Sequence, residues 1–320
     1  MSANPLTFGL FSKGRLKEQA EAWIADCGLT LEAAGGDRGY VAAIRELPGL
    51  RVLLLSAADI ALALDAGEIH LGVSGEDLLR EREAVDAHVL LLRALDFGRA
   101  DLVVAAPASW LDVETMADLE EVGAAYAART GRRMRVATKY MAQTRAFFAA
   151  HGVVDYRIVE SSGATEGSPQ AGQAELIVDI TTTGATLRAN GLRPLADGLI
   201  LKSQAQLCAS LAADWTREQF AQAARLIGVV EARARALATV LVSWPAEQEN
   251  AARSATEPFL ARGATRRAQG LLAGDADLLD VTDALAGAGV GPVSVVHPNF
   301  AFAPASDAAQ ALARRLGFAA

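Results

Sequence analysis

The arrangement in this chain best suited to chemistry is a carboxylate ending a buried apolar run, followed at once by a turn of small hydroxylated residues. Residues 175–192 read ELIVDITTTGATLRANGL. Leu176, Ile177 and Val178 are apolar, Asp179 follows, and Thr181, Thr182, Thr183, Gly184, Ala185 and Thr186 form the turn. Where a strand gives way to a helix, freed backbone N–H groups converge on an anion, and hydroxyls add further donors. A carboxylate just before such a cradle suits ribose hydroxyls or a magnesium-bound sugar. The combination points to a phosphorylated sugar, because no Gly-Lys-Ser/Thr follows to mark a triphosphate loop. An ordinary threonine-rich connection is the plainer alternative.

Other charged residues stand at comparable places. Lys13, Gly14 and Arg15 follow the first apolar run, Ser74, Gly75 and Glu76 follow another, and Glu160 ends a third. Lys139 opens a helical pattern, where the helix dipole disfavours a cation and so calls for an anion nearby. A half-buried Asp179 needs a partner for the same kind of reason. Solvated surface charge is the bland reading of Lys13 and Arg15, strand-end charge that of Glu160, and turn chemistry that of Gly75 and Asp77. His70, His88, His151 and His297 are scattered without metal-ligand spacing, and the sequence assigns no metal ligand.

These residues need elements to hold them. Short apolar runs alternate with helical patterns through about residue 240, which is the pattern of a parallel α/β layering. Strands are expected at 6–11, 40–44, 51–55, 71–73, 89–92, 102–106, 134–138, 157–160 and 176–180. Helices are expected at 16–26, 57–66, 112–130, 141–151 and 216–237. Composition shifts near Ala238, and the tail reads as strand 239–244, helix 247–261, helix 275–288, strand 292–296 and helix 306–316. With 320 residues, 52% of them hydrophobic, the chain fits two or three cores. A net charge of −8 argues against nucleic acid, which wants a basic field, though not against small phosphorylated ligands. Cys27 and Cys208 make no disulfide framework. The start lacks a basic stretch before a long apolar core, and Val52–Leu64 is broken by Asp59. A cytoplasmic protein is expected.

Seven phrases, taken in order, resemble one family. They are Lys13-Gly14-Arg15-Leu16, Ala58-Asp59-Ile60, Gly72 to Leu79, Leu95-Asp96-Phe97-Gly98, Arg135 to Tyr140, Glu160-Ser161-Ser162-Gly163-Ala164-Thr165-Glu166, and Asp179 to Leu192. Over roughly residues 6–230 the series resembles ATP phosphoribosyltransferase, the first enzyme of histidine biosynthesis. Ser12, Met141 and Ala100-Asp101 depart from the family's usual residues, but none removes a charge given a role here.

The resemblance implies an α/β fold: a two-domain catalytic core like type II periplasmic binding proteins, with a cleft, plus a small C-terminal α+β module. The expected division is 1–98 with 188–238, then 99–187, then 239–320. The implied reaction joins N1 of the ATP adenine to C1 of phosphoribosyl pyrophosphate, releasing pyrophosphate with Mg2+ assisting. By resemblance, Thr182, Thr183, Gly184, Ala185 and Thr186 cradle the 5-phosphate, and Asp179 and Glu160 hold or polarise the ribose. Lys13, Gly14 and Arg15 meet the pyrophosphate or the ATP phosphates, Lys139 faces them from the other domain, and Ser74 and Gly75 border the nucleotide. A homo-oligomer is expected. Long forms of the family add a histidine-binding domain of strand-helix-strand-strand-helix-strand order, whereas short forms pair with a regulatory subunit like a histidyl-tRNA synthetase. The tail has the right length, but 266–272 reads as too short and mixed for the middle two strands. The sequence therefore leans to a short-form catalytic subunit with an extension. The alternative is a non-catalytic ligand-binding or regulatory paralogue with the same cleft fold.

Overall fold

Runs such as Leu6–Phe11 and Leu176–Val178 are apolar on both faces, so they are buried only inside sheets covered by helices. The computed structural model describes residues 5–33, 40–82, 85–161 and 163–318; Ser162 lies outside them. The chain divides into two compact units, Met1–Trp23 with Leu31–Thr216, and Ile24–Thr30 with Arg217–Ala320.

The first unit opens with β1 (Leu6–Phe11), α1 (Gly14–Asp26), β2 (Leu31–Ala33), β3 (Val41–Ile44) and β4 (Leu50–Leu55). It continues with α2 (Ala57–Asp65), β5 (Leu71–Gly75), α3 (Glu76–Arg80), α4 (Val85–His88) and β6 (Val89–Ala94). A second set follows: β7 (Ala100–Pro107), α5 (Met116–Thr130), β8 (Met134–Thr138), α6 (Met141–Ala150) and β9 (Tyr156–Glu160). Then come β10 (Leu176–Thr181), α7 (Ala185–Ala189), β11 (Leu192–Ser203) and β12 (Ala205–Ser210). Two sheets result, ordered β2-β3-β4-β1-β5-β12-β6 and β11-β7-β10-β8-β9.

Each sheet has a parallel core, β4-β1-β5 in the first and β10-β8-β9 in the second. Beside each core lies one antiparallel strand, β12 or β7, that has just crossed from the other lobe. The two crossovers are bonded together: Leu95 N–H donates to the Ala205 carbonyl at 2.9 Å, and Ala205 N–H to that of Phe97 at 3.0 Å. This exchange of strands between two α/β lobes is the expected two-domain, type II binding-protein-like core. In the second lobe side chains alternate between faces: Leu102, Val104, Leu176 and Val178 enter one core, and Val103, Ala105, Ile177 and Leu187 the other.

Two boundaries differ from expectation. The second sheet keeps the chain through Ser203 instead of releasing it at 188, because β11 pairs with β7. That strand was hidden by Pro194, Gly198 and two register shifts, features of an edge strand that reads as loop. The long helix α8 (Arg217–Leu237) clusters with the C-terminal unit, not with the first lobe, so the boundary falls at 217 and not 239.

The second unit corrects the reading of the tail. After α8 come β13 (Thr239–Ser243), α9 (Glu249–Leu260), β14 (Thr265–Arg267), β15 (Gly270–Gly274), α10 (Leu278–Gly287), β16 (Ser294–Val296) and α11 (Asp307–Leu316). The middle strands that the sequence seemed to lack are β14 and β15, and the antiparallel sheet runs β14-β15-β13-β16. This is the ferredoxin-like order, with Val240, Val242, Phe259, Leu271, Val281 and Leu285 in its core. β14 is the polar edge triplet Thr-Arg-Arg, and the turn places Gln269, not a glycine, at φ +54°. Neither leaves the usual hairpin signature. Gln269→Gly should relieve the left-handed backbone, for a net gain of about 0.5–1 kcal/mol after glycine's own entropy cost. A rise in the thermal midpoint checks it; no rise speaks against the hairpin.

Candidate active site

Alternation along β10 puts Asp179 on the same face as Ile177, the face covered by Leu187 of α7. Asp179 therefore sits half-buried at the mouth of a pocket of about 280 Å³, lined also by Ala100, Glu166, Thr181, Thr182, Thr183, Ala185 and Thr186. Gly184 makes the turn at φ +69°, a conformation that suits a residue without Cβ. Its N–H donates to the Thr181 hydroxyl at 2.9 Å. Gly184 gives the helix that follows no side-chain cap, and the Ala185 N–H makes only a long bond, 3.4 Å, to the Thr183 hydroxyl, so donors at this first turn can turn to a ligand. Arg188, one turn on, brings Nη1 to 2.8 Å from where a Cβ of residue 184 would stand. A cation thus lies against the threonine loop, at a position that the sequence alone reads as helix surface.

Burial pushes the Asp179 carboxyl above its ordinary value. The Ile180 N–H bond at 2.8 Å, the Lys139 charge and the Thr165 hydroxyl oppose that shift, while the Glu166 charge adds to it. Glu166 has no sequence signal to mark it, because a lone glutamate on the 3₁₀ turn Thr165–Gly167 carries no local signature. Glu160, at the end of the edge strand β9, is exposed and two strands from β10, and it does not line the pocket.

The carboxyl ends of both parallel sets meet at one buried junction. The Tyr140 hydroxyl, just past β8, donates to Asp77 Oδ2 at 2.6 Å, and Ser203 Oγ donates to Asp77 Oδ1 at 2.7 Å. The Asp77 N–H in turn donates to Ser203 Oγ at 3.0 Å. Ala142 N–H donates to Glu81 Oε1 at 2.7 Å, and the Gln143 side-chain amide to the Asp77 carbonyl at 2.9 Å. Burial, together with the Asp77 carboxylate, pushes the Tyr140 phenol far above its ordinary value, so it stays a donor. Gly75 serves this junction: a Cβ there would stand 2.4 Å from Asp77 Oδ1.

The remaining sequence candidates lie at or beyond the carboxyl ends of β1, β5 and β8. Lys13 and Arg15 are exposed beyond the carboxyl end of β1, and Gly14 starts α1 at φ +70°. Lys139 is exposed, with Nζ 5.0 Å from the Tyr140 ring centre. Ser74 is fully buried and donates to the Ala57 carbonyl at 2.9 Å, so its hydroxyl is engaged within the fold and not offered to a nucleotide. Ligands of α/β proteins bind at the carboxyl ends of strands, where these residues gather.

The family model described as "HisG: ATP phosphoribosyltransferase" matches residues 56–229. The chain is 64% identical over 301 residues to the ATP phosphoribosyltransferase of Caulobacter vibrioides (strain NA1000 / CB15N), covering 94% of each. The chain belongs to the ATP phosphoribosyltransferase family. Members of this family in Rhodopseudomonas palustris (strain BisA53) are also similar, with 56% identity over 235 residues, 73% of this chain and 72% of that protein. A chain of the solved ATP phosphoribosyl transferase (HisG:HisZ) complex from Thermotoga maritima shares the fold, with a TM-score of 0.54 at 22% identity over 71% of this chain and 96% of that one. The enzyme transfers the phosphoribosyl group of phosphoribosyl pyrophosphate to N1 of ATP, the first step of histidine biosynthesis.

Two outcomes follow for this phosphoribosyltransferase. With its pKa raised in the fold, Asp179 binds its proton more tightly when folded, so the carboxyl loses stability as pH rises from its unfolded value of 3.8 through the raised one. Asp179→Asn should therefore raise the thermal midpoint at pH 7, and the advantage should vanish below about pH 3.8; an unchanged or lowered midpoint at pH 7 contradicts the shift. Tyr140→Phe leaves Asp77 Oδ2 buried without its donor, a loss of about 1–3 kcal/mol that urea denaturation would register.

Proposed function

We propose that the pocket at the end of β10 is where phosphoribosyl pyrophosphate is held during transfer. The observation that carries this is the half-buried Asp179 beside an open threonine turn. Thr182, Thr183, Gly184, Ala185 and Thr186 take the 5-phosphate through backbone N–H groups and hydroxyls, and Arg188 adds a cation. Asp179 takes the ribose hydroxyls. As the C1–oxygen bond lengthens, positive charge grows on the sugar, and Asp179 stabilises it more than it stabilises the ground state. The electron pair of the broken bond leaves with pyrophosphate, while the adenine N1 lone pair forms the new bond to C1. No general base is required. Lys13, Arg15 and Lys139 neutralise the pyrophosphate and the ATP phosphates, with Gly14 allowing close approach and Gly75 bordering the nucleotide. Glu160 is left a secondary place, and Glu166 stands closer to Asp179.

Mg2+ suits this site. Among the described residues no group of three or more His, Cys, Asp or Glu would hold a metal alone. Mg2+ commonly takes one or two carboxylates and leaves the rest to substrate phosphates and water. Asp179 and Glu166 line one pocket and supply that pair. When bound, the ion would offset the charge of the departing pyrophosphate.

The ferredoxin-like order of the C-terminal sheet favours the family form that carries its own histidine-binding domain over the form that needs a synthetase-like subunit. The enzyme would then work in the cytoplasm as a homo-oligomer, self-contained in activity and control. No helix among the described residues is long and apolar enough to cross a membrane, which agrees with that reading.

Asp179→Asn combined with Thr183→Val should abolish phosphoribosyl-ATP formation, followed by absorbance, with circular dichroism unchanged; undiminished turnover would remove the pocket from the mechanism. Purified chain alone should turn over and be inhibited by histidine. Weak, histidine-insensitive turnover would indicate a missing regulatory subunit.

A further inference from the structure

A second concave site lies at the opposite end of the second sheet. Arg132, Arg133, Arg135, Arg157 and Tyr126 line a depression of about 480 Å³. Arg135 is the second residue of β8 and the cross-strand partner of Arg157 on β9. Like charges placed side by side on neighbouring strands destabilise a sheet unless something neutralises them. Arg135 is neutralised: Nη2 and Nε donate to Glu175 at 2.7 and 3.2 Å, and the Tyr126 hydroxyl also donates to Glu175 at 3.2 Å. Arg133 reaches Asp155 only at 3.8 Å. Among the described residues, neither Arg132 nor Arg157 has a side-chain hydrogen bond or ion pair. Four guanidiniums against Glu175 and Asp155 leave an excess of two positive charges, on a chain whose net charge is −8. The depression is separate from the catalytic pocket, because Arg135 lies near the start of β8, whose far end leads to Lys139. Those ends are at least about 10 Å apart along the strand.

We propose that this depression binds a small anion of linked phosphates. Guanidinium forks match phosphate oxygens in pairs, and two free forks with an excess of two charges call for at least a dianion. Concavity and size favour a compact ligand over an extended chain, and the Tyr126 ring offers an apolar wall for a base if the phosphates belong to a nucleotide. An inorganic polyphosphate and a nucleoside diphosphate share this chemistry, and the test separates them.

Inorganic tripolyphosphate and ADP are titrated calorimetrically, in parallel, into the full chain and into the Arg132→Ser/Arg157→Ser variant. The comparison is repeated in an Asp179→Asn/Thr183→Val background that also carries Lys13→Ser and Arg15→Ser, to remove the phosphoribosyl pocket and the cations assigned to the ATP phosphates. One anion per chain should persist in that background, and the arginine changes should weaken it by at least about tenfold. Turnover of the arginine variant without added anion should match the parent. If ADP alone shows the arginine-dependent component, the ligand is a nucleotide; if tripolyphosphate shows it as strongly, the phosphates suffice. Binding that ignores the arginine changes for both probes, or that exceeds one per chain and fades uniformly with salt, overturns the proposal.

Discussion

The catalytic unit depends on one buried carboxylate. Asp77 is 6% exposed, and both of its oxygens are engaged, one by Ser203 at a crossover and the other by Tyr140 of the opposite lobe. A charge so enclosed is tolerable only when its acceptor sites are filled, so the three residues hold one another in place. What they fix is the separation of two strand ends, β5 in one lobe and β8 in the other. Lys139 precedes Tyr140 in sequence, and its charge acts on Asp179. A shift of the tyrosine would move the lysine against the pocket that Asp179 lines.

The pocket itself shows the opposite balance. Asp179 is disfavoured by its burial and is opposed further by Glu166. In the proposed transfer, the fold tolerates this unfavourable charge where positive charge would develop on the pentose. That is the usual relation between a strained, reactive site and the well-satisfied structure supporting it. Rigid support at Asp77 and a poorly compensated carboxylate at Asp179 are complementary parts of one arrangement.

The sequence made the parallel strands and the threonine turn legible because both are local. Leu176–Val178 announces a buried strand by composition, and the small residues around Gly184 announce a turn. What it concealed was set by distant partners. β11, with its proline and register shifts, is a strand only because β7 lies beside it, and β14 is polar because it is an edge. Asp77 read as helix-start chemistry, since the phenol and hydroxyl it accepts from are 63 and 126 residues away. Glu160 and Glu166 illustrate the limit at the site: both are exposed-strand or turn glutamates in sequence, and only sheet order separates the one in the pocket from the one outside it.

The placement of β12 between β5 and β6 has a temporal side. Those two strands are made early on the ribosome, yet they cannot pair through their permanent neighbour until residues 205–210 emerge. The intervening stretch, from Ala100 to Ser203, contains every strand of its own sheet and lacks nothing supplied later. Synthesis therefore delivers a finished second lobe while the first still waits with an open seam, and the returning strand closes that seam last.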